Sequence, residues 1–149
     1  MATLHLMVGL PCSGKTTYAR RLAEETGALM LTLDVWHLKL FGGNQYSPDK
    51  ALCIEEIMWD VAKHVLKLGG DVILDFGFWE RAGRDDFRNK AKELGADFKI
   101  HYMDVPHAEL YRRLEIRNGN PDDGVYIIHE KDMDEYITMF QPPTEDELV

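Results

Sequence analysis

The stretch Gly9-Leu10-Pro11-Cys12-Ser13-Gly14-Lys15-Thr16 constrains this chain more than any other, because it meets the pattern G-x-x-x-x-G-K-[ST] at every required position. This is the nucleotide-binding P-loop pattern, and its physical content is anion recognition. Glycines let the backbone wrap closely around a phosphate, amides of the loop and of the following helix point inward as donors, and the lysine bridges β- and γ-oxygens. The reading assigns Gly9, Pro11, Cys12, Ser13, Gly14, Lys15, Thr16 and the next residue, Thr17, to the phosphates of ATP, with the Thr16 hydroxyl on Mg2+.

The motif needs a strand before it and a helix after it, and the flanking residues supply both. Leu4 to Val8 is an apolar run of strand length, and Thr17 to Glu25 carries Tyr18, Ala19, Leu22 and Ala23 at helical spacing, closed by Gly27. The pattern then repeats. Leu29 to Leu33 predicts a second strand ending in Asp34, followed by a short amphipathic turn over Val35 to Phe41; Gly42-Gly43-Asn44 breaks the pattern, and Ser47-Pro48-Asp49 starts a helix whose core stripe is Ala51, Ile54, Met58, Val61, Val65 and Leu68, stopped by Gly69-Gly70. Val72 to Leu74 predicts a third strand ending in Asp75, before a helix with Phe87, Ala91 and Leu94 on one face and Gly95 as its stop.

A fourth strand near Phe98 to Met103 ends in Asp104 and passes through Val105-Pro106 into a helix holding Leu110, Tyr111 and Leu114. Asn118 to Gly124 reads as a mobile loop. A last helix aligns Met133, Tyr136, Ile137 and Phe140, His129 standing at its start; Pro142-Pro143 ends it and leaves an acidic tail. Strands alternating with helices predict an α/β fold, a P-loop three-layer sandwich with a mainly parallel sheet of four to five strands. At 149 residues and 45% apolar composition, the chain suits a single domain spanning 1–149. Only Leu148-Val149 resembles the start of a fifth strand.

Composition narrows the setting. Two cysteines, Cys12 and Cys53, make neither a disulfide framework nor a metal-ligand spacing, which points to a reducing cytoplasm. No apolar stretch approaches membrane-spanning length, and no basic-flanked leader is present, so no membrane partner is expected. A net charge of -9 disfavours a broad nucleic-acid surface, which works by Lys and Arg displacing phosphate counterions.

In an open parallel sheet the ligand crevice lies beyond the carboxyl ends of the strands. That rule gathers Asp34, Asp75 and Asp104 at the P-loop edge. Asp75, after Val72-Ile73-Leu74, has the form of a Walker B aspartate that orients Mg2+, or else caps the next segment. Asp34 is the candidate general base for an attacking hydroxyl, with a helix cap as its alternative. Asp104 reads as a cap. Positive charge for phosphoryl transfer comes from Arg112, Arg113 and Arg117, of which Arg113 and Arg117 share a helical face, and from Arg81, Arg84 and Arg88, a set expected near the acceptor. Trp36, His37, Phe78 and Trp79 flank that edge, either to stack a planar substrate or to pack the core.

Taken together, the Gly9 to Thr16 loop, Leu31-Thr32-Leu33-Asp34, the turn Asp75-Phe76-Gly77-Phe78-Trp79-Glu80-Arg81 and the segment Val105-Pro106 through Arg113 to Arg117-Asn118 resemble small P-loop kinases. The group is that of polynucleotide kinase, zeta toxin and chloramphenicol phosphotransferase, an AAA-type ATP-binding kinase domain with a nucleoside-monophosphate-kinase-like fold. The resemblance implies Asp34 as general base, Lys15 and Thr16 on ATP-Mg2+, Arg113 or Arg117 as lid arginine, and Asp75 as the strand-three aspartate. Polynucleotide kinases of this kind follow the strand-two aspartate with an arginine for the nucleic-acid phosphate, and Asp34-Val35-Trp36-His37 offers none. The sequence therefore predicts an ATP-dependent phosphotransferase acting on a hydroxyl of a small molecule. A polynucleotide or nucleoside kinase, and a nucleotide-dependent switch, are the alternatives.

Overall fold

Apolar side chains on both faces of the strands require cover on both sides of the sheet, and the helices supply it. The computed structural model describes residues 1–42, 46–119 and 126–148. Its elements are β1 (Thr3–Val8), α1 (Lys15–Thr26), β2 (Leu29–Thr32), α2 (Leu33–Phe41), α3 (Pro48–Lys67), β3 (Val72–Gly77), α4 (Arg81–Glu93), β4 (Asp97–Tyr102), α5 (His107–Gly119) and α6 (Glu130–Met139). The strands pair in the order β2-β3-β1-β4, every pair parallel.

Alternation along β1 and β3 divides the core. Leu4, Leu6, Val8, Val72 and Leu74 pack with Ile54, Met58 and Ala62 of α3 and Ala91 of α4. On the opposite face Met7 and Ile73 pack on Ala19 of α1. A third cluster joins Leu10 of the P-loop to Leu110 and Leu114 of α5 and Met133 of α6. The phosphate loop is thus held between the sheet and the α5–α6 pair. The expected α/β sandwich with a parallel sheet is the fold observed, and among the described residues the sheet has four strands.

Local signals set several boundaries. Gly27 ends α1 in the left-handed region (φ 71) with its amide on Ala23 O, and Ser47 opens α3 by accepting the Lys50 amide, with Pro48 first in the helix. His129 stands at the N-cap of α6, its amide donated to Asp132 at 3.0 Å. The stripe expected on α3 needs correction. Its buried residues are Ala51, Ile54, Met58, Ala62 and Leu66, whereas Val61 and Leu68 are 41% and 76% exposed. Val61 lies about 100° around the helix from the buried Ala62, and Leu68 is the C-cap, beyond the last turn that faces the core.

Asp75 falls inside β3 rather than after it, and Asp34 falls in the first turn of α2. Asp104 accepts from Tyr102 Oη at 3.4 Å, and α5 begins three residues later. The break at Gly43-Asn44, the loop residues 120–124 and Val149 lie outside the described residues. No helix among the described residues is long and apolar enough to cross a membrane.

Candidate active site

Beyond Val8 the chain turns through residues 9–14 into α1. Cys12 (φ 69) and Gly14 (φ 88) take left-handed conformations, Gly14 as the N-cap. Gly9 is required for space: a Cβ there would meet Ser13 Oγ at 2.6 Å and Met103 Cβ at 3.3 Å. Lys15, the first residue of α1, runs its stem past Gly77, whose added Cβ would lie 3.7 Å from Lys15 Cε.

Strand register explains the next group. Thr32 of β2 is paired with Asp75 of β3, and Thr16 stands beside both. Asp75 Oδ2 accepts from Thr16 Oγ1 at 2.7 Å and from Thr32 Oγ1 at 3.2 Å. Asp75 is 3% exposed, and its Oδ1 has no partner among the described residues. A buried carboxylate oxygen left bare is costly unless a cation or that cation's water faces it. A hydroxyl and a carboxylate are the hard oxygen donors that suit Mg2+, whose remaining positions go to phosphate and water oxygens. The residues present fit that ion.

Asp34 lies at the mouth, in contact with solvent but crowded by the walls. Burial pushes its carboxyl above the ordinary aspartate value; Lys15, Arg117 and His37 pull it back, and Asp75 adds to the rise. From the other side α5 leans its arginines onto the loop. Arg113 donates Nη1–H to Cys12 O at 3.1 Å and Nε–H to Glu109 at 3.0 Å. Arg117 reaches Cys12 Sγ at 3.7 Å and donates to Tyr126 O at 2.7 Å, and its Nε is buried without a partner among the described residues.

These side chains share a cleft of about 460 Å³ whose lining includes Lys15, Thr16, Asp34, Asp75 and Arg117, together with Arg20 and Lys39. A hollow of about 580 Å³ between α5 and Glu130 holds none of them, so chemistry rather than volume singles out the site. Two sequence expectations fail here. Arg81, Arg84 and Arg88 turn away from the cleft toward the segment after α6, Arg84 pairing with Glu147 at 2.7 Å while both are buried. That segment is therefore no free acidic tail.

The aromatics pack rather than line an acceptor edge. Phe78 stacks on Phe76 and meets Phe87, and His37 is buried between Ser47 N–H and Tyr126 Oη. Trp79 instead reaches the P-loop, donating to Gly9 O at 3.2 Å. Sequence reasoning missed that bond, Thr32, Tyr126 and Arg20; only Thr32 carried a signal, as the last residue of a strand facing the P-loop edge.

A family model described as an AAA domain, AAA_33, matches residues 4–143. A search of curated proteins finds no match. Among solved structures the fold resembles a chain of the Pnkp1/Rnl/Hen1 RNA repair complex, at 25% identity and TM-score 0.75 over 93% of this chain and 43% of that one. It also resembles Kti12 of Chaetomium thermophilum in complex with ADP-AlF3 (18% identity, TM-score 0.74, 95% and 81% covered). A gluconokinase from Sinorhizobium meliloti 1021 matches at 17% identity and TM-score 0.63, with 99% and 79% covered. This chain spans less than half the length of the RNA-repair chain it matches.

Proposed function

The chain belongs to the AAA domain family AAA_33, and from that premise we propose that it is an ATP-dependent phosphotransferase moving the γ-phosphate to a hydroxyl of a small-molecule acceptor. The observation that carries the reading is the convergence, in one cleft, of the P-loop Lys15, the Thr16–Asp75 pair, Asp34 and Arg117. Switching and hydrolysis need only the lysine and the Thr16–Asp75 pair. A carboxylate raised in pKa at the open mouth, opposite the loop, is what an acceptor hydroxyl requires.

In this mechanism Lys15 and the amides at the α1 N-terminus hold the β- and γ-phosphates. Thr16 and Asp75 would hold Mg2+, which would neutralise charge on the phosphate oxygens. Asp34 accepts the proton of the acceptor hydroxyl as its oxygen attacks the γ-phosphorus, and ADP leaves. Arg117 and Arg113 meet the charge that spreads over the transferring group. Because Arg117 lines the cleft, whereas Arg113 does not and is tied to Cys12 O and Glu109, Arg117 is the better placed of the two.

A second reading, a polynucleotide or nucleoside kinase, draws on Arg20 and Lys39, cations that line the same cleft beside Asp34, and on the likeness to the RNA-repair chain. Phosphorus NMR of ATP-Mg2+ with pooled sugars, hydroxylated antibiotics, nucleosides and 5′-hydroxyl oligonucleotides separates the two. A new phosphoester resonance in the sugar or antibiotic pool supports the first reading, and one in the oligonucleotide or nucleoside pool supports the second. Acceptor-independent release of inorganic phosphate alone contradicts both.

A further inference from the structure

Both backbone polar groups of Gly9, the first residue of the phosphate loop, are held by a single turn. Gly9 N–H donates to Gly77 O at 3.1 Å, and Gly9 O accepts from the Trp79 indole Nε1–H at 3.2 Å. A shift in the β1–β3 register brings Gly77 opposite Val8 and so delivers the turn to this position. Gly77 (φ 97) and Phe78 (φ 45) are both left-handed, and for a bulky aromatic residue that region is sparsely populated. A conformation of this kind persists where its surroundings over-determine it.

The surroundings come from the segment after α6, more than sixty residues further along the chain. Gln141 N–H donates to Trp79 O at 2.8 Å, and Gln141 Oε1 accepts the Arg81 amide at 2.9 Å. Arg84 donates Nη1–H to Phe78 O at 2.9 Å and points Nε and Nη2 at the Glu147 carboxylate, at 2.7 and 3.3 Å. Arg84 and Glu147 are 1% and 3% exposed. Burial works to raise the Glu147 carboxyl, but hydrogen bonds from Arg84 and the Thr144 amide hold it below the usual glutamate value, so it stays ionised opposite the guanidinium.

We propose that Gln141 to Glu147 brace the nucleotide site, with Trp79, Arg84 and Glu147 as positioning residues that fix Gly9 without touching the nucleotide. The proposal rests on the nucleotide reading above. With its N–H and carbonyl both engaged, Gly9 cannot reorient, and the loop amides beyond it are ordered before a phosphate arrives. Ordering completed before binding is not charged against affinity. The same turn abuts the Lys15 stem, so a relaxed turn also releases the lysine.

The test titrates the fluorescent nucleotide mant-ADP with Mg2+ into the intact chain and two variants. Trp79→Phe keeps the ring and removes only the N–H; Arg84→Met/Glu147→Leu exchanges the buried ion pair for apolar side chains, a change that cores often accept. Both variants are expected to bind about tenfold more weakly, the scale of one hydrogen bond, while melting within a few degrees of the parent. The Trp79 indole N–H resonance, one of three and identified by its loss in Trp79→Phe, is expected to move toward the free-indole position in the double variant.

Parent affinity in both folded variants, or weakening that only tracks a loss of folded protein, overturns the brace. If the double variant fails to fold, Trp79→Phe decides. Lys15→Ala separates the two levels: lost binding there beside parent affinity in the brace variants leaves the nucleotide site standing and removes the brace. No binding by the unaltered chain removes both.

Discussion

A carboxylate that takes a proton near neutral pH is helped by a pKa above the ordinary value, and Asp34 is shifted in that direction by burial and by Asp75. Two outcomes follow at this residue. Transfer requires the ionised form, so kcat/KM should rise with pH along an acid limb whose pKa lies above the ordinary aspartate value, and Asp34→Asn should remove that limb. Raised folded pKa also means that the ionised carboxylate costs the fold stability at neutral pH. Asp34→Asn should therefore melt no lower than the parent, and a clear drop in Tm would make Asp34 a structural cap instead. Residues such as Lys15, Thr16 and Asp34 were legible because their positions follow from local spacing and strand ends. The Trp79 bond to Gly9 and the placing of Tyr126 were not, since their partners come from other elements.

At the scale of the element, α3 shows how a period can mislead. Val61 and Leu68 fit a spacing of three and four as well as Ala62 and Leu66 do, and an alanine gives a weak apolar signal beside a valine. The helix is apolar enough on two sides that sequence alone cannot choose its inner face; the sheet surface presented by Leu4, Leu6 and Val72 makes the choice. Met58→Ala, at a fully buried position, should lose about 2–5 kcal/mol in chemical denaturation. Val61→Ser should stay within about 0.5 kcal/mol. Equal losses would mean that α3 is rotated from the orientation described. The α4 arginines were misassigned for a related reason: Glu147 lies 63 residues from Arg84, and no local pattern links them.

Across the whole molecule, pH acts through pairs that only the folded sheet creates. His5 of β1 and His101 of β4 sit on neighbouring strands, Nδ1 to Nε2 at 2.9 Å, with Tyr18 Oη of α1 3.2 Å from His101 Nδ1. Burial, the facing His5 and nearby Lys99 lower the His101 pKa to about 4. Burial also lowers His5, with Lys99 adding to the effect and Asp71 opposing it. In the unfolded chain both titrate near 6.5, so between there and about 4 the unfolded state binds more protons. Stability is thus full above pH about 6.5 and falls as pH drops toward 4. Replacing both histidines with leucine should flatten Tm across that window, and an unchanged slope would exclude the pair as its source. Asp146, held to about 2 by hydrogen bonds from Arg81 and Thr144, acts only at lower pH.

The cleft itself is assembled from the P-loop, α1, β2, α2, β3 and α5, and the claim that it transfers a phosphoryl group reduces to a division of labour between binding and chemistry. The most direct measurement is the pair of constants for Asp34→Asn: the Kd for ATP-Mg2+ by calorimetry, and the transfer rate to the acceptor that phosphorus NMR identifies. An unchanged Kd with a rate reduced about 10²-fold or more is the predicted result. A rate within threefold of the parent, or a Kd that rises in step with the loss of rate, would contradict the account.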